Sequence, residues 1–256
     1  MFEILERFKN IICVLDRIRE RLCCNYNTIN KTNCSDFLSD KNPVKIISWN
    51  VQSLFFYTTE TRLRNVIKNI LDFDADLICL QEVFEDNIKS EIIKGVNHIY
   101  PYYLLGNTVK KCKLGEDSGL LVLSKYNINY KGEKKIDNCV MPDNFCEKSI
   151  LYFSIKDYNF ITTHLQSGDY GISKNQIMDI SHNSPFKEYI LLGDLNNFEA
   201  DKIMNVECNN TVKTWENVIL DYILPINFKK ELKVNVINMD ITSVTDHLPI
   251  MAEIIE

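Results

Sequence analysis

Three short apolar runs that each end in a carboxylate or carboxamide constrain this chain more than any other feature in it. They are Ile46-Ile47-Ser48-Trp49-Asn50, Asp76-Leu77-Ile78-Cys79-Leu80-Gln81-Glu82 and Ile190-Leu191-Leu192-Gly193-Asp194-Leu195-Asn196. A related run, Ile161-Thr162-Thr163-His164, ends in an imidazole, and Asp246-His247 precedes the last apolar stretch. Aliphatic and β-branched runs of this length read as strands covered on both faces. A strand that stops at a polar group delivers that group to the edge of a sheet. Several such strands in one chain predict that their ends meet at one polar site.

Helical stretches alternate with the strands. Leu63, Val66, Ile67 and Ile70 give Thr61–Leu71 a helical period, and Asn175–Ser181 reads as a second helix. Further strands are expected at 119–123, 150–155, 160–163, 189–192, 220–224 and 248–254. The alternation predicts an α/β chain with packed sheets and a site at strand ends. Ahead of it, Phe2, Leu5, Phe8, Ile12, Leu15, Ile18 and Leu22 form an amphipathic helical pattern, followed by a polar segment ending at Asn42-Pro43. The expected organisation is therefore an N-terminal helix and linker over 1–43 and a single catalytic body over 44–256. Charged residues interrupt the first helix, so it reads neither as a signal peptide nor as a membrane span. A docked helix or a peripheral membrane helix both fit it, with Cys23-Cys24 as an acylation candidate.

At 256 residues the chain suits one large domain with a sizeable core. Its net charge of −6 supplies no overall positive field for gathering long nucleic acids. The nine cysteines include no CxxC pair and no zinc-finger spacing. They read as reduced thiols of a cytoplasmic protein; one or two disulfides in an oxidising compartment is the alternative.

Hydrolysis of a phosphoester needs its phosphoryl charge neutralised, a water activated and the leaving oxygen assisted. Glu82, Asn50, Asp194, Asn196 and Asp246 are oxygen donors of the kind that hard cations take, and no soft thiolate cluster accompanies them. This favours Mg²⁺ over Zn²⁺. His164 and His247 supply groups able to move protons near neutral pH. Taken singly, Gly193-Asp194 is a turn, Asp246-His247 a surface loop and Asn50 a helix cap; together, in order, they point to one site. His98 and His182 lie outside the pattern and read as surface residues. Tyr100, Tyr102 and Tyr103 read as packing, with an aromatic cage for a choline headgroup as the alternative.

In these residues the chain resembles the endonuclease/exonuclease/phosphatase superfamily. That family's marks have counterparts in Trp49-Asn50, Gln81-Glu82, His164, Gly193-Asp194-Leu195-Asn196, Leu220-Asp221-Tyr222 and Thr245-Asp246-His247. Threonine in place of serine is the one departure in the last motif. The finer resemblance is to neutral sphingomyelinases of the bacterial type. It rests on Glu82-Val83-Phe84-Glu85-Asp86-Asn87, Tyr100-Pro101-Tyr102, Glu116-Asp117-Ser118-Gly119, Thr163-His164-Leu165-Gln166-Ser167 and Thr214-Trp215.

The resemblance implies a four-layer α/β sandwich of the deoxyribonuclease I type and a Mg²⁺-dependent phosphodiesterase, with Mn²⁺ able to substitute. It implies Glu82 and Asn50 as principal metal ligands, with Asp194, Asn196, Asp246 and His247 completing the metal and phosphate contacts. Asp194, Asn196 and His247 would position or activate water, and Asp246 would orient His247. His164 would stabilise phosphoryl oxygens, and Asp221 would support the site through its backbone neighbours and His164. Lys148 stands where that family often has a basic residue ahead of a strand.

The implied substrate is sphingomyelin or a related phospholipid headgroup, reached by peripheral membrane contact, with nucleic acid the less favoured partner. Two features depart from the secreted members. There is no partner cysteine for Cys139 within 167–171, and no aromatic hairpin in 234–244. A nuclease or phosphatase of the same superfamily, and a degenerate member that binds without turnover, are the alternatives. The second is disfavoured because every acid, amide and histidine the chemistry needs is present.

Overall fold

The computed structural model describes residues 43–53, 59–106, 116–207 and 212–255. The expected N-terminal helix and its linker, up to residue 42, lie outside the described residues. In chain order the strands are β1 (Lys45–Ser53), β2 (Leu77–Val83), β3 (Tyr102–Leu105), β4 (Leu121–Ser124), β5 (Asn129–Lys135), β6 (Ser149–Ile155), β7 (Tyr158–His164), β8 (Tyr189–Asp194), β9 (Asp221–Ile226), β10 (Glu231–Val236) and β11 (Ile250–Ile255). The helices are α1 (Glu60–Phe73), α2 (Asp86–Val96), α3 (Tyr170–Asn183) and the single turn α4 (Ala200–Ile203).

Two mixed sheets form. The first has the order β10-β11-β1-β2-β4-β3 and the second β5-β6-β7-β8-β9. Each contains one parallel pair, β1 with β2 and β7 with β8, and antiparallel neighbours elsewhere. The period of two along a strand explains why the runs are apolar throughout. Ile46 of β1 and Ile190 and Leu192 of β8 face inward, into a core shared by both sheets with Leu77, Phe153 and Phe160. Ile47 and Trp49 face outward under Val66 and Ile70 of α1 and Ile88 and Ile92 of α2. Leu191 faces outward under Ile177 and Ile180 of α3. The result is helix, sheet, sheet, helix: the four-layer sandwich. Each fully buried Ile, Leu or Phe contributes roughly 1.5–3 kcal/mol, so the shared core and the two helix-covered faces all contribute to stability.

Local signals set the helix ends. The Thr59 hydroxyl oxygen accepts from Arg62 N at 3.2 Å to cap α1, which stops where Asp74 turns left-handed at φ 44. Asp169 Oδ1 accepts from Gly171 N and Ile172 N, at 2.9 and 3.0 Å, to start α3. This helix is longer than the periodicity of 175–181 implied. Helix α2 and strands β3, β5 and β10 were not expected from the sequence. Three of these four elements are edge strands, and β5 is polar along its whole length. Tyr100 is buried, with its hydroxyl donating to Ile70 O at 3.3 Å, and serves packing. His98 and His182 are exposed. Among the described residues no helix is long and apolar enough to cross a membrane.

Candidate active site

Register brings the polar strand ends together. His164 of β7 lies beside Asp194 of β8, and Asp194 lies beside Asp221 of β9. In the first sheet Asn50 of β1 lies beside Gln81 of β2, one residue before Glu82. The two groups meet where the sheets face one another. The Asn50 amide spans the seam, donating from Nδ2 to Glu82 Oε1 at 2.9 Å and to Asp194 Oδ2 at 3.0 Å. Asn50 Oδ1 accepts from Gln52 N at 3.0 Å, which fixes which end of the carboxamide faces the two acids.

Several of these positions are conformationally strained. Glu82, Gln52 and Asn196 adopt positive φ of 60°, 43° and 48°, a region that residues with side chains seldom occupy. Gly193 is required where it stands: at φ +148, a Cβ there would sit 2.0 Å from Thr163 O of the neighbouring strand. The close parallel pairing that aligns His164 with Asp194 depends on its absence.

His247 precedes β11. Its Nδ1 lies 2.8 Å from Asp221 Oδ2, and its Nε2 points into the site, 3.8 Å from Asp194 Oδ2. Trp49 Nε1 donates to its carbonyl at 3.1 Å. Thr245 Oγ1 donates to Asn50 O at 2.7 Å and accepts from His247 N at 3.3 Å, so threonine keeps the hydroxyl contacts at this point of the motif. Asp221 is held in turn by Thr214, whose hydroxyl oxygen accepts from Leu220 N and Asp221 N at 3.1 and 3.2 Å.

Two expected roles are thereby corrected. Asp221, not Asp246, is hydrogen-bonded to His247, because antiparallel pairing of β8 with β9 brings its carboxylate to the ring's Nδ1. Asp246 has its Oδ2 taken by Gln52 Nε2 at 2.7 Å and Trp215 Nε1 at 3.2 Å, and its Oδ1 is 3.9 Å from His247 Nε2. Nor does Asp221 support His164, whose Nδ1 has no partner among the described residues. Asn196 N donates to Asp194 Oδ1 at 3.0 Å and its Nδ2 to Leu165 O at 3.0 Å. Lys148 is buried, donating to Leu165 O at 2.8 Å and facing Asp143 at 3.3 Å. Gln52 was missed by the sequence reading. Its only signal is its place two residues after Asn50.

The electrostatics are those of acids crowded out of water. Burial, reinforced by the negative charge of Asp221, pushes the Asp194 carboxyl up to about 7. Burial also raises Glu82, against the Asn50 amide and the positive charge of Lys148. Burial, then Lys148, holds His164 well below the usual histidine range, so it is a neutral imidazole. For His247, burial opposes the charge, but the adjacent Asp221 together with Asp194 and Asp246 outweighs it and pulls the ring up to about 10.

Glu82, His164 and Asp194 present ligand atoms within 4.8 Å of one another. His164 Nε2 stands 3.9 Å from Glu82 Oε1 and 3.7 Å from Asp194 Oδ2. Two carboxylates that share one amide, both raised by burial, fit a divalent cation, which would relieve the crowding. The donors are oxygens with one imidazole and no thiolate, a set suited to a hard ion. Asp194, Asp221 and His247 form a second such group.

Comparison with known proteins agrees with this arrangement. The endonuclease/exonuclease/phosphatase family matches over residues 47–225. Sphingomyelinase C of Bacillus cereus is 29% identical over 169 residues, 54% of this chain and 49% of that protein. Another sphingomyelinase C from the same organism is 27% identical over 182 residues, 58% and 54% of the two chains. The chain thus spans about half the length of the curated relatives it matches. Among solved structures, a Staphylococcus aureus beta toxin with bound magnesium ions superposes with a TM-score of 0.68 at 20% identity, covering 83% of this chain and 99% of that one. A truncated Caenorhabditis elegans TDP2 gives 0.61 at 19%, covering 84% and 98%. At these identities the structural likeness is one of fold, and both carry the same sandwich. With its motifs in order and the family match spanning most of both sheets, the chain belongs to the endonuclease/exonuclease/phosphatase family.

Proposed function

We propose that this protein is a Mg²⁺-dependent phosphodiesterase that releases phosphocholine from sphingomyelin. The observation that carries the hydrolytic part is the pair of carboxylates, Glu82 and Asp194, bridged by one Asn50 amide beside an Asp221–His247 pair. Glu82 and Asp194 would hold the cation, which would supply neutralisation of the phosphoryl charge. Asn50, expected as a ligand, instead turns its amide hydrogens to both carboxylates and fixes their positions. His247, held as an imidazolium by Asp221 at Nδ1, gives the proton at Nε2 to the leaving oxygen and regains one from the attacking water, which Asp194 and Asn196 position. His164, kept neutral by burial, offers a hydrogen bond to a phosphoryl oxygen without adding a charge that the acids would trap. Asn196 uses one amide hydrogen on Leu165 O and has the other for substrate.

Support for the lipid comes from the sphingomyelinase C relatives and from the Glu82–Asn87 and 116–126 stretches that resemble that branch. The net charge of −6 agrees with it, since tracking a nucleic-acid backbone needs a Lys or Arg at each phosphate. A nuclease or phosphatase of the same family is the second reading, since the fold alone, shared also with TDP2, does not select the phosphoester. The test offers sphingomyelin in detergent micelles, a plasmid and a phosphoinositide side by side, each with Mg²⁺ and with chelator. Phosphocholine release that chelator abolishes is the expected result. Rapid plasmid nicking without phosphocholine release would overturn the lipid, and full activity in chelator would overturn the metal.

A further inference from the structure

Lys89 occupies an unusual place for an ammonium. The sequence Asp86-Asn87-Ile88-Lys89-Ser90-Glu91 reads as the solvated start of a helix, yet the Lys89 side chain is only 4% exposed. Its Nζ donates to Phe84 O at 3.0 Å and pairs with Asp117 Oδ2, with Asp86 Oδ1 at 3.5 Å. Asp117 Oδ1 in turn accepts from Gly119 N at 2.8 Å. Gly119 O then accepts from Val83 N, also at 2.8 Å. The chain of contacts closes on Glu82: a Cβ at Gly119 would lie 3.2 Å from Glu82 Cα and 2.7 Å from the Phe84 ring. The segment 82–84 is thus gripped on one side by the 117–119 turn and on the other by α2, with one buried ammonium tying all three.

A buried ion pair is weak support for stability, because desolvation offsets most of its attraction. An apolar residue at 89 would have extended the face of Ile88 and Ile92. What the pair does hold is the backbone of a residue at φ 60, a conformation that surrounding structure must enforce. Building on the proposed metal role of Glu82, we infer that the buried Lys89–Asp117 pair is a positioning device for Glu82, setting the direction in which its carboxylate meets Asn50 and a divalent cation. Neither residue touches the cation or the reacting atoms.

The test uses the full chain, MgCl₂ as the probe, and two readouts: calorimetric Mg²⁺ affinity and the melting temperature without metal. Lys89→Met alone leaves the half-buried Asp117 charge without its cationic partner and should melt lower. Adding Asp117→Asn removes that charge while keeping an acceptor for Gly119 N, and should recover most of the melting temperature. Mg²⁺ affinity in the double variant should nevertheless stay weaker by ~10–100-fold, the usual scale for a residue that orients a ligand. Recovery of affinity along with stability would overturn the inference. Should the double variant fail to melt cooperatively, Asp117→Asn alone decides: weaker Mg²⁺ binding supports the clamp, and parental affinity removes it. Absence of any Mg²⁺ binding by the parent is a separate result that defeats the metal reading and the inference with it.

Discussion

At the scale of single residues, the pairing of His247 with Asp221 matters most. Asp221→Asn keeps the size of the side chain but removes the charge that holds the imidazolium. We expect sphingomyelin hydrolysis to fall by roughly 10²–10⁴-fold, the range for a disabled proton-transfer group, measured as turnover at saturating substrate. Loss of less than about tenfold, judged on the same scale, would mean that His247 is oriented otherwise. The same pair predicts a pH effect on stability in chelator. His247 is raised from 6.5 to about 10 in the folded chain, so its contribution is complete below the unfolded value and is lost as pH rises towards the folded one. The melting temperature of the parent should therefore fall more steeply between those values than that of His247→Gln. Parallel slopes would contradict it. Both partners stand in motifs that the sequence singles out as candidates. Which acid serves which histidine was not legible, because the assignment depends on β9 lying beside β8, a contact between segments 27 residues apart in register that no local pattern encodes.

Elements show the same division between what periodicity reveals and what packing decides. Strands β1, β2, β7 and β8 are buried on both faces, so their continuous apolar runs announced them. Strands β5 and β10 lie at sheet edges, where one side faces water and lysines are common, so Lys131, Lys134 and Lys233 hid them. Pro225 sits in β9, also an edge strand, where a missing donor is tolerated. Lys89 was obscured in the opposite way, as a charge on a helix start that the fold then covered. At the centre of the second sheet the tolerance is smallest. Gly193→Ala must displace Thr163 O, and the β7–β8 pairing with it. A loss of at least ~3 kcal/mol is expected from overpacking and backbone strain, read from the urea midpoint. A variant within ~0.5 kcal/mol of the parent, the range of neutral surface changes, would show that the strand can shift aside.

At the scale of the whole molecule, the site belongs to neither sheet alone. Asn50 and Glu82 come from the first, His164, Asp194 and Asp221 from the second, and His247 from the loop that joins β10 to β11 within the first. Activity should therefore track the packing between sheets more closely than it tracks the strands themselves. In rising urea, phosphocholine release should be lost with the near-ultraviolet signal of Trp49 and not later than the far-ultraviolet signal; activity persisting after the near-ultraviolet signal is gone would contradict this. The seam has a further consequence for an ion seated across it. Glu82 and Asp194 sit on opposite sides of a joint, so a cation held by both acts as a rivet through the sandwich. At a hundred times its dissociation constant, it would add about 2.7 kcal/mol to the adhesion of the two halves. Severing one end of that rivet with Glu82→Gln should leave a protein whose resistance to urea no longer rises with magnesium.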